Sequence, residues 1–382
     1  MANEKKTVRE PSFILALVPI VAMIGFMLYC FRGHSETGYH DAHLPLVMSI
    51  IVACIVGFIC GHSFQEMLAG MVERLAASME AVLILATVGF LVTSFMLSGA
   101  IPTMIVYGLD LLTPKLFLPV GCILCAIVGM ACGSSWTTTA TIGLAFLGIG
   151  AGLGIPAPIT AGMIISGAYV GDKFSPLSDT TNLAAAVAET GLFDHVTAMV
   201  STTGPTLLLS LILYTILGLN VDTSAYDATV AEGIQEAFRG AFTISPILLL
   251  PIIVVIVMCI LRVPGLVGIA ISVATAVVFM LIFQSTDIFY SYSLGDIFDV
   301  LHYGHAVETG NAVADSILGK AKGMDGMMWT INLILVALAY GGALERCGCI
   351  EKLFGGLKHK IHSVGSLILA TLLTSIFCDA TM

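Results

Sequence analysis

The chain has 382 residues, 58% of them hydrophobic and only 10% charged, with a mean hydropathy of +1.01. A water-soluble domain carries roughly 25% charged residues, so this composition excludes a soluble fold and calls for a membrane protein. The formal net charge of −10 argues against a nucleic-acid partner.

Met1–Pro11 is a polar tail with Lys5, Lys6 and Arg9. The apolar run Phe13–Phe31 is long enough to span a bilayer, since ~20 apolar residues cross it. It is too long for a cleaved signal and has no small-residue cleavage pattern. Leu44–Gly61 is a second span. Phe64–Glu80 is amphipathic, with Glu66, Glu73 and Arg74, and is expected at the interface. Ala81 to about Val106 reads as a third span. Leu116–Cys132 and Ala140–Gly154 flank Gly133-Ser134-Ser135-Trp136-Thr137-Thr138-Thr139. Neither arm is generous for a full span, and together they read as a re-entrant hairpin with a hydroxyl-rich tip.

Next comes the most concentrated polar chemistry in the chain, Gly171-Asp172-Lys173-Phe174-Ser175-Pro176-Leu177-Ser178-Asp179-Thr180-Thr181-Asn182. It lies between the apolar Ile155–Val170 and the small-residue run Leu183–Ala188. Gly171 and Pro176 disfavour regular helix. A water-exposed loop here would leave only eleven residues, Leu183–Phe193, before Asp194 and His195, too few for a span. The stretch is therefore expected to be a helix broken at membrane depth. His195 is expected in a short loop, and Val200–Leu219 spans. Asn220–Phe242 is acidic and polar. Ile244–Leu261 and Gly265–Ser285 are two spans joined at Arg262-Val263-Pro264. Thr286–Gly326 is a long acidic segment containing an amphipathic piece, Gly295–Gly304. Met327–Leu344 spans, Glu345–Ser363 is basic and amphipathic, and Val364–Cys378 is apolar.

The ten cysteines are scattered, mostly within apolar runs. No CxxC pair has a matching partner, so they read as small apolar packing residues without a disulfide framework. Neither a metal centre nor a cofactor is implied.

The chain repeats itself weakly. Ser98-Gly99-Ala100-Ile101 matches Cys347-Gly348-Cys349-Ile350, and Cys132-Gly133-Ser134-Ser135 falls where Cys378-Asp379-Ala380-Thr381 would lie. One transmembrane domain, 1–382, is expected, with repeat one at about 44–219 and repeat two, incomplete, at about 262–382. The second copy stops at its hairpin tip, so a truncated chain is expected. With the N-terminus inside, nine lysines and arginines fall on inner segments and five on outer ones, in line with the positive-inside rule. The same parity gives the two copies opposite orientations. The expected fold is thus an all-α polytopic membrane protein, with inverted repeats, re-entrant hairpins and a discontinuous helix.

Irregular backbone is tolerated at membrane depth only where it lines a cavity or is buried in protein, and charges there face the bundle interior. Asp172, Ser175, Ser178, Asp179, Thr180, Thr181 and Asn182 offer oxygens, which hard cations prefer. Lys173 either neutralises Asp172 or serves the site. Ser134, Ser135, Thr137 and Thr138 either touch a ligand at the hairpin tip or bond back to helix carbonyls. Trp136 is a ligand contact or an interfacial anchor. Two close carboxylates repel, so one holds its proton more tightly. Should Na⁺ replace that proton at Asp172 and Asp179, exclusive occupancy by either ion would give exchange.

At these residues the sequence resembles the NhaC-type Na⁺/H⁺ antiporter family of the ion-transporter superfamily. The resemblance rests on Gly133–Thr138, on Ile164-Ile165-Ser166-Gly167-Ala168-Tyr169, on Gly171–Ala184, and on Leu192-Phe193-Asp194-His195. It implies a secondary transporter of a bacterial inner membrane, moving Na⁺ and H⁺ through the lipid bilayer; the charge count puts its N-terminus in the cytoplasm. It does not fix the oligomeric state, a homodimer included. The nearest alternative is an organic-acid antiporter, malate for lactate. An enzyme is not expected. An intramembrane hydrolase would need a paired nucleophile and base; no G-x-S-x-G is present, and no His is expected at membrane depth beside Ser134.

Overall fold

The computed structural model describes residues 8–32, 41–175, 178, 180–181, 184–185, 190–220, 228–261, 263–284, 294–358 and 363–381. Among these the chain is helical throughout, without a strand. Four helices are long and apolar enough to cross a membrane, or up to six if each of two bent pairs counts as one span. The protein is an all-α polytopic membrane protein.

In chain order the helices are α1 (Phe13–Arg32), α2 (His43–Ile59), α3 (Phe64–Ala77), α4 (Met79–Leu97), α5 (Ala100–Leu111) and α6 (Pro114–Cys132). A short α7 (Ser135–Thr138) runs through a π turn (Thr139–Gly143) into α8 (Leu144–Gly152). Then come α9 (Ala157–Phe174), α10 (Leu192–Leu219), α11 (Ala228–Ala241), α12 (Leu250–Ile260), α13 (Gly265–Phe283), α14 (Leu294–Tyr303), α15 (Ala312–Leu318), α16 (Asp325–Arg346), α17 (Cys349–Lys358) and α18 (Val364–Thr381). The chain forms two compact units, one of residues 1–83 with 328–382, the other of residues 84–327.

In the unit of residues 84–327, Phe95, Ile101, Ile105, Phe117, Leu118 and Ile149 are among the fully buried side chains of one apolar core. Lipid and protein are equally apolar, so helices in a membrane associate by close packing and small residues. The α6–α9 pair is built this way. A Cβ at Gly129 would meet the Ala168 carbonyl oxygen at 2.7 Å, and one at Gly171 would meet the Met130 amide nitrogen at 2.7 Å. At Gly167 it would meet the Cys125 Cβ, also at 2.7 Å. Gly167 and Gly171 stand one turn apart, the spacing that lets two backbones touch. Helix α10 packs beside α6 and α9, but exposes Leu208, Leu209, Ile212, Leu213 and Ile216 as a lipid face.

Four expectations need correction. The span expected over Ala81–Val106 is two helices, because Gly99 takes the left-handed conformation (φ 81°) and ends α4. The buried Gln284 fills this gap. Its Nε2 donates to the Ser98 carbonyl at 2.8 Å, and its Oε1 accepts from the Thr243 N–H at 3.0 Å. Asn220–Phe242 is not merely polar: Ala228–Ala241 forms the amphipathic α11, whose Ile234 and Phe238 join the core. His195 is not in a loop. Its N–H donates to the Gly191 carbonyl at 2.9 Å in the first turn of α10, which already runs from Leu192. The hydroxyl-rich tip expected over Gly133–Thr139 narrows to Gly133 and Ser134, since Ser135–Thr138 is already helical.

The other unit holds α1, α2, α3, α17, α18 and α16 from Met328 onward, around Ala16, Ala53, Met67, Ala343, Cys347 and Cys349. Helix α3 starts with a reciprocal cap, Ser63 accepting from the Glu66 N–H at 3.3 Å and Glu66 from the Ser63 N–H at 2.9 Å. It crosses α16 where Gly70 faces Gly342, and Arg74 Nε pairs with Glu345 at 2.6 Å beside the crossing. The two similar tetrads share one backbone event: Gly348, like Gly99, is left-handed (φ 71°), and each separates a long helix from a short one.

Candidate functional site

Helix α9 does not end at Val170, as the sequence suggests, but runs on through Phe174. Gly171 is held in the helix by its contact with α6, and the break comes one residue before Pro176. Ser175 is extended there (φ −85°, ψ 122°), the conformation a following proline imposes. The expected discontinuity is present, four residues late.

This extra turn places Asp172 on the last turn of α9, against α6. Helix α6 ends at Gly133, left-handed at φ 63°, which turns the chain so that Ser134 caps the next helix. Ser134 Oγ accepts from the Thr137 N–H at 3.2 Å and from the Thr137 hydroxyl at 3.1 Å. Ser135, one residue on, then faces the end of α9. Its hydroxyl donates to Asp172 Oδ2 at 3.4 Å.

The segment beyond the break returns to the same carboxylate. The Thr180 hydroxyl donates to Asp172 Oδ2 at 3.4 Å, and Lys173 Nζ donates to Thr180 Oγ1 at 3.1 Å. Ser178 Oγ lies 3.0 Å from Thr180 Oγ1. The Thr181 hydroxyl donates to the Asp172 carbonyl at 3.3 Å, which also accepts from the Ser175 N–H at 3.1 Å, and to the Lys173 carbonyl at 3.5 Å. Asp172 is 5% exposed, and Ser135, Ser175, Ser178 and Thr181 are also buried, whereas Thr180 is exposed.

Among the described residues no cationic side chain lies within ion-pair distance of Asp172. Its carboxylate is met by two hydroxyls, both longer than the 2.7–2.8 Å typical of O–H···O bonds. Both therefore sit slack around one buried oxygen.

Six of the sequence candidates thus come together: Ser135, Asp172, Lys173, Ser178, Thr180 and Thr181. Ser134 and Thr137 bond each other, and the Thr138 hydroxyl donates back to the Ser134 carbonyl at 2.9 Å; these three shape the turn. Ser175 is buried at the break. Asp179 and Asn182 lie outside the described residues. Trp136 is 55% exposed. The sequence reading passed over Thr141, buried at the π turn, whose hydroxyl donates to the Thr137 carbonyl at 2.7 Å. It also passed over Tyr214 of α10, 2.9 Å from Ser166 of α9. The hydroxyl run extending to Thr141 was a usable signal for the first; none existed for the second.

A bundle of apolar helices, one interrupted beside a buried carboxylate and its hydroxyls, is the architecture of a membrane transporter. The known relatives agree. The chain belongs to the Na⁺/H⁺ antiporter family, whose model matches residues 167–382. It is 34% identical to the Na⁺/H⁺ antiporter NhaC of Alkalihalophilus pseudofirmus, over 88% of this chain and 71% of that one. It is 34% identical to the arginine/ornithine antiporter ArcD of Halobacterium salinarum, over 97% and 75%. It is 31% identical to the malate-2H⁺/Na⁺-lactate antiporter of Bacillus subtilis, over 98% and 78%. No solved structure matches the chain.

Proposed function

We propose that the protein is a secondary antiporter of a bacterial inner membrane, exchanging Na⁺ for H⁺ at Asp172, with its N-terminus in the cytoplasm. One observation carries this reading: a buried carboxylate without a cationic partner among the described residues, ringed by slack hydroxyls. A carboxylate at membrane depth needs a proton or a metal ion to offset its desolvation. Na⁺ and H⁺ neutralise the same oxygens, so they occupy the site in turn.

The spacing supports Na⁺. Na⁺ is close in size to Ca²⁺, whose oxygen ligands lie at about 2.3–2.6 Å, and adjacent corners of an octahedron of that size are about 3.4 Å apart. Around Mg²⁺, at about 2.0–2.1 Å, they would be about 2.9 Å apart. Ser135 Oγ and Thr180 Oγ1 each stand 3.4 Å from Asp172 Oδ2. In this reading Ser135, Asp172 and Thr180 ligate the ion, with Ser175, Ser178 and Thr181 supporting the shell. Asp179 and Asn182 belong to the same motif and complete it. Ser134, Thr137 and Thr138 hold Ser135 in place. Lys173 tunes the site through Thr180. The shared conformation at Gly99 and Gly348 supports two repeats, and the charge count of the inner and outer segments supports their inversion.

The malate/lactate relative and Lys173 favour an organic-acid exchanger as the second reading. An uncompensated carboxylate repels such a substrate, so the cation reading is preferred. Purified protein in proteoliposomes separates them. Na⁺-dependent proton movement without any organic acid supports the proposal. Exchange that requires malate or lactate, or that survives Asp172→Asn unchanged, overturns it.

A further inference from the structure

A second polar group lies in the unit of residues 1–83 and 328–382, independent of the ion site. Asp41 precedes α2, His43 is the first residue of α2, and Trp329 lies near the start of α16. His43 Nδ1 contacts Asp41 Oδ1 directly, and the His43 backbone N–H donates to the same oxygen at 3.0 Å. On the other side of the ring, His43 Nε2 lies 3.2 Å from the Trp329 carbonyl oxygen. The indole Nε1–H donates to Asp41 Oδ2 at 3.4 Å, and the two rings meet edge to face at 5.3 Å. The group is closed: each member touches both others.

Both imidazole nitrogens therefore face oxygens that accept. A neutral ring carries one N–H and serves one of them, whereas the imidazolium serves both. Its hydrogen bond from His43 holds the Asp41 carboxyl below the usual range, so the acceptor is ionised at neutral pH. The positive end of the α2 dipole opposes a charged ring at this position; the touching carboxylate offsets it. Among the described residues, other elements add few charged groups here. Helix α1, packed along α2, carries one charged residue, Arg32, and α16 carries Asp325 one turn before Trp329. Among the described residues neither forms an ion pair with Asp41 or His43. Imidazole gains or loses its charge between about pH 5 and 8.

We propose that Asp41, His43 and Trp329 form a proton-operated clamp that fastens the start of α2 to the start of α16. It is closed when the ring is charged and released when the ring is neutral. With the N-terminus in the cytoplasm, α1 delivers this group to the opposite face, where it reads external pH. The clamp joins helices that are nearly three hundred residues apart in the chain (|i−j| = 286 for His43 and Trp329), so its release loosens a contact that no local structure replaces.

Amide hydrogen exchange on the full chain in lipid nanodiscs tests this. After correction for the intrinsic pH dependence, amides of 43–48 and 329–334 should lose about tenfold in protection between pH 6 and 8.5, the loss expected for one charged hydrogen bond. His43→Arg, charged throughout, should hold high protection at both pH values, and His43→Leu low protection at both. Asp41→Asn should flatten the step, while Trp329→Phe, which keeps the carbonyl, should retain it. A step of equal size in His43→Leu, or no step in the unmodified protein, overturns the clamp. Neither result bears on exchange at Asp172.

Discussion

Two of the helix interruptions among the described residues of the unit 84–327 are finished in opposite ways. Between α4 and α5 the left-handed Gly99 exposes backbone groups, and Gln284 reaches in with both ends of its amide to bond Ser98 and Thr243. After α9, Asp172 sits at the gap with two hydroxyls at 3.4 Å and no cation among the described residues. The first gap is sealed by neutral groups of matching capacity. The second leaves a buried carboxyl without an ion-pair partner among the described residues. Burial of polar backbone alone does not mark a functional break, because satisfied groups carry no demand for a ligand. A buried carboxyl with no ion-pair partner among the described residues is the ground on which we assign function to the second gap.

Mutation should separate the two gaps, and the largest effect falls on the second. Asp172→Asn keeps an acceptor for Ser135 and Thr180 but removes the charge. Na⁺-driven proton movement in proteoliposomes should fall to background while thermal stability holds or rises. Gln284→Ala should do the reverse. Stripping the seal leaves buried donors and acceptors unmet, at about 1–3 kcal/mol. The melting temperature should drop, with the apparent Na⁺ affinity of the surviving protein unchanged. A change of Na⁺ affinity in Gln284→Ala would erase the distinction between the gaps. Ser135→Ala and Thr180→Val each remove one oxygen from the second gap. Each should weaken apparent Na⁺ affinity by roughly five- to tenfold, about 1–1.4 kcal/mol; equal affinity in both variants would take the hydroxyls out of the ion's shell.

The smallest effect concerns a gap-free control, the loop before α15. The Thr309 N–H and hydroxyl both reach Asp315 Oδ1 at 2.7 Å, and these bonds hold its carboxyl below the ordinary value. A lowered carboxyl stabilises the fold above its unfolded value, ~3.9 for Asp. That contribution fades as pH falls through the lower folded value. Asp315→Asn should therefore melt slightly earlier than the unmodified protein at pH 7, with the difference vanishing in strong acid. A difference that grows on acidification would contradict the assignment.

Much of this was readable before any coordinates. The composition demanded membrane helices, and Pro176 located the end of α9 close to its carboxylate, whereas Gly171 lies within the helix. Serine and threonine at Gly133–Thr138 were candidates, but only the packing of α6 on α9 shows that Ser135, and not its neighbours, reaches Asp172. Gly99 was invisible because glycine is common inside membrane helices, and Gln284, which bonds the Ser98 carbonyl beside it, lies 185 residues away in the chain within the expected span Gly265–Ser285. Helix α11 was hidden by its own polarity: hydropathy reports a lipid-facing helix, not one that buries Ile234 and Phe238 on a single stripe.

The glycine seam between α6 and α9 limits how the molecule can work. With main chain resting on main chain at Gly129, Gly167 and Gly171, no rotamer can give way to let one rod slide along the other. In the proposed cycle, Asp172 would then move with the end of α6, which carries the turn into Ser135. On the proposed site's other side, exposed Thr180 is tied to α9 by side-chain hydrogen bonds to Asp172 and Lys173, which can break where main chain on main chain cannot. In the proposed exchange cycle, the Thr180 side is therefore the one free to open for an ion.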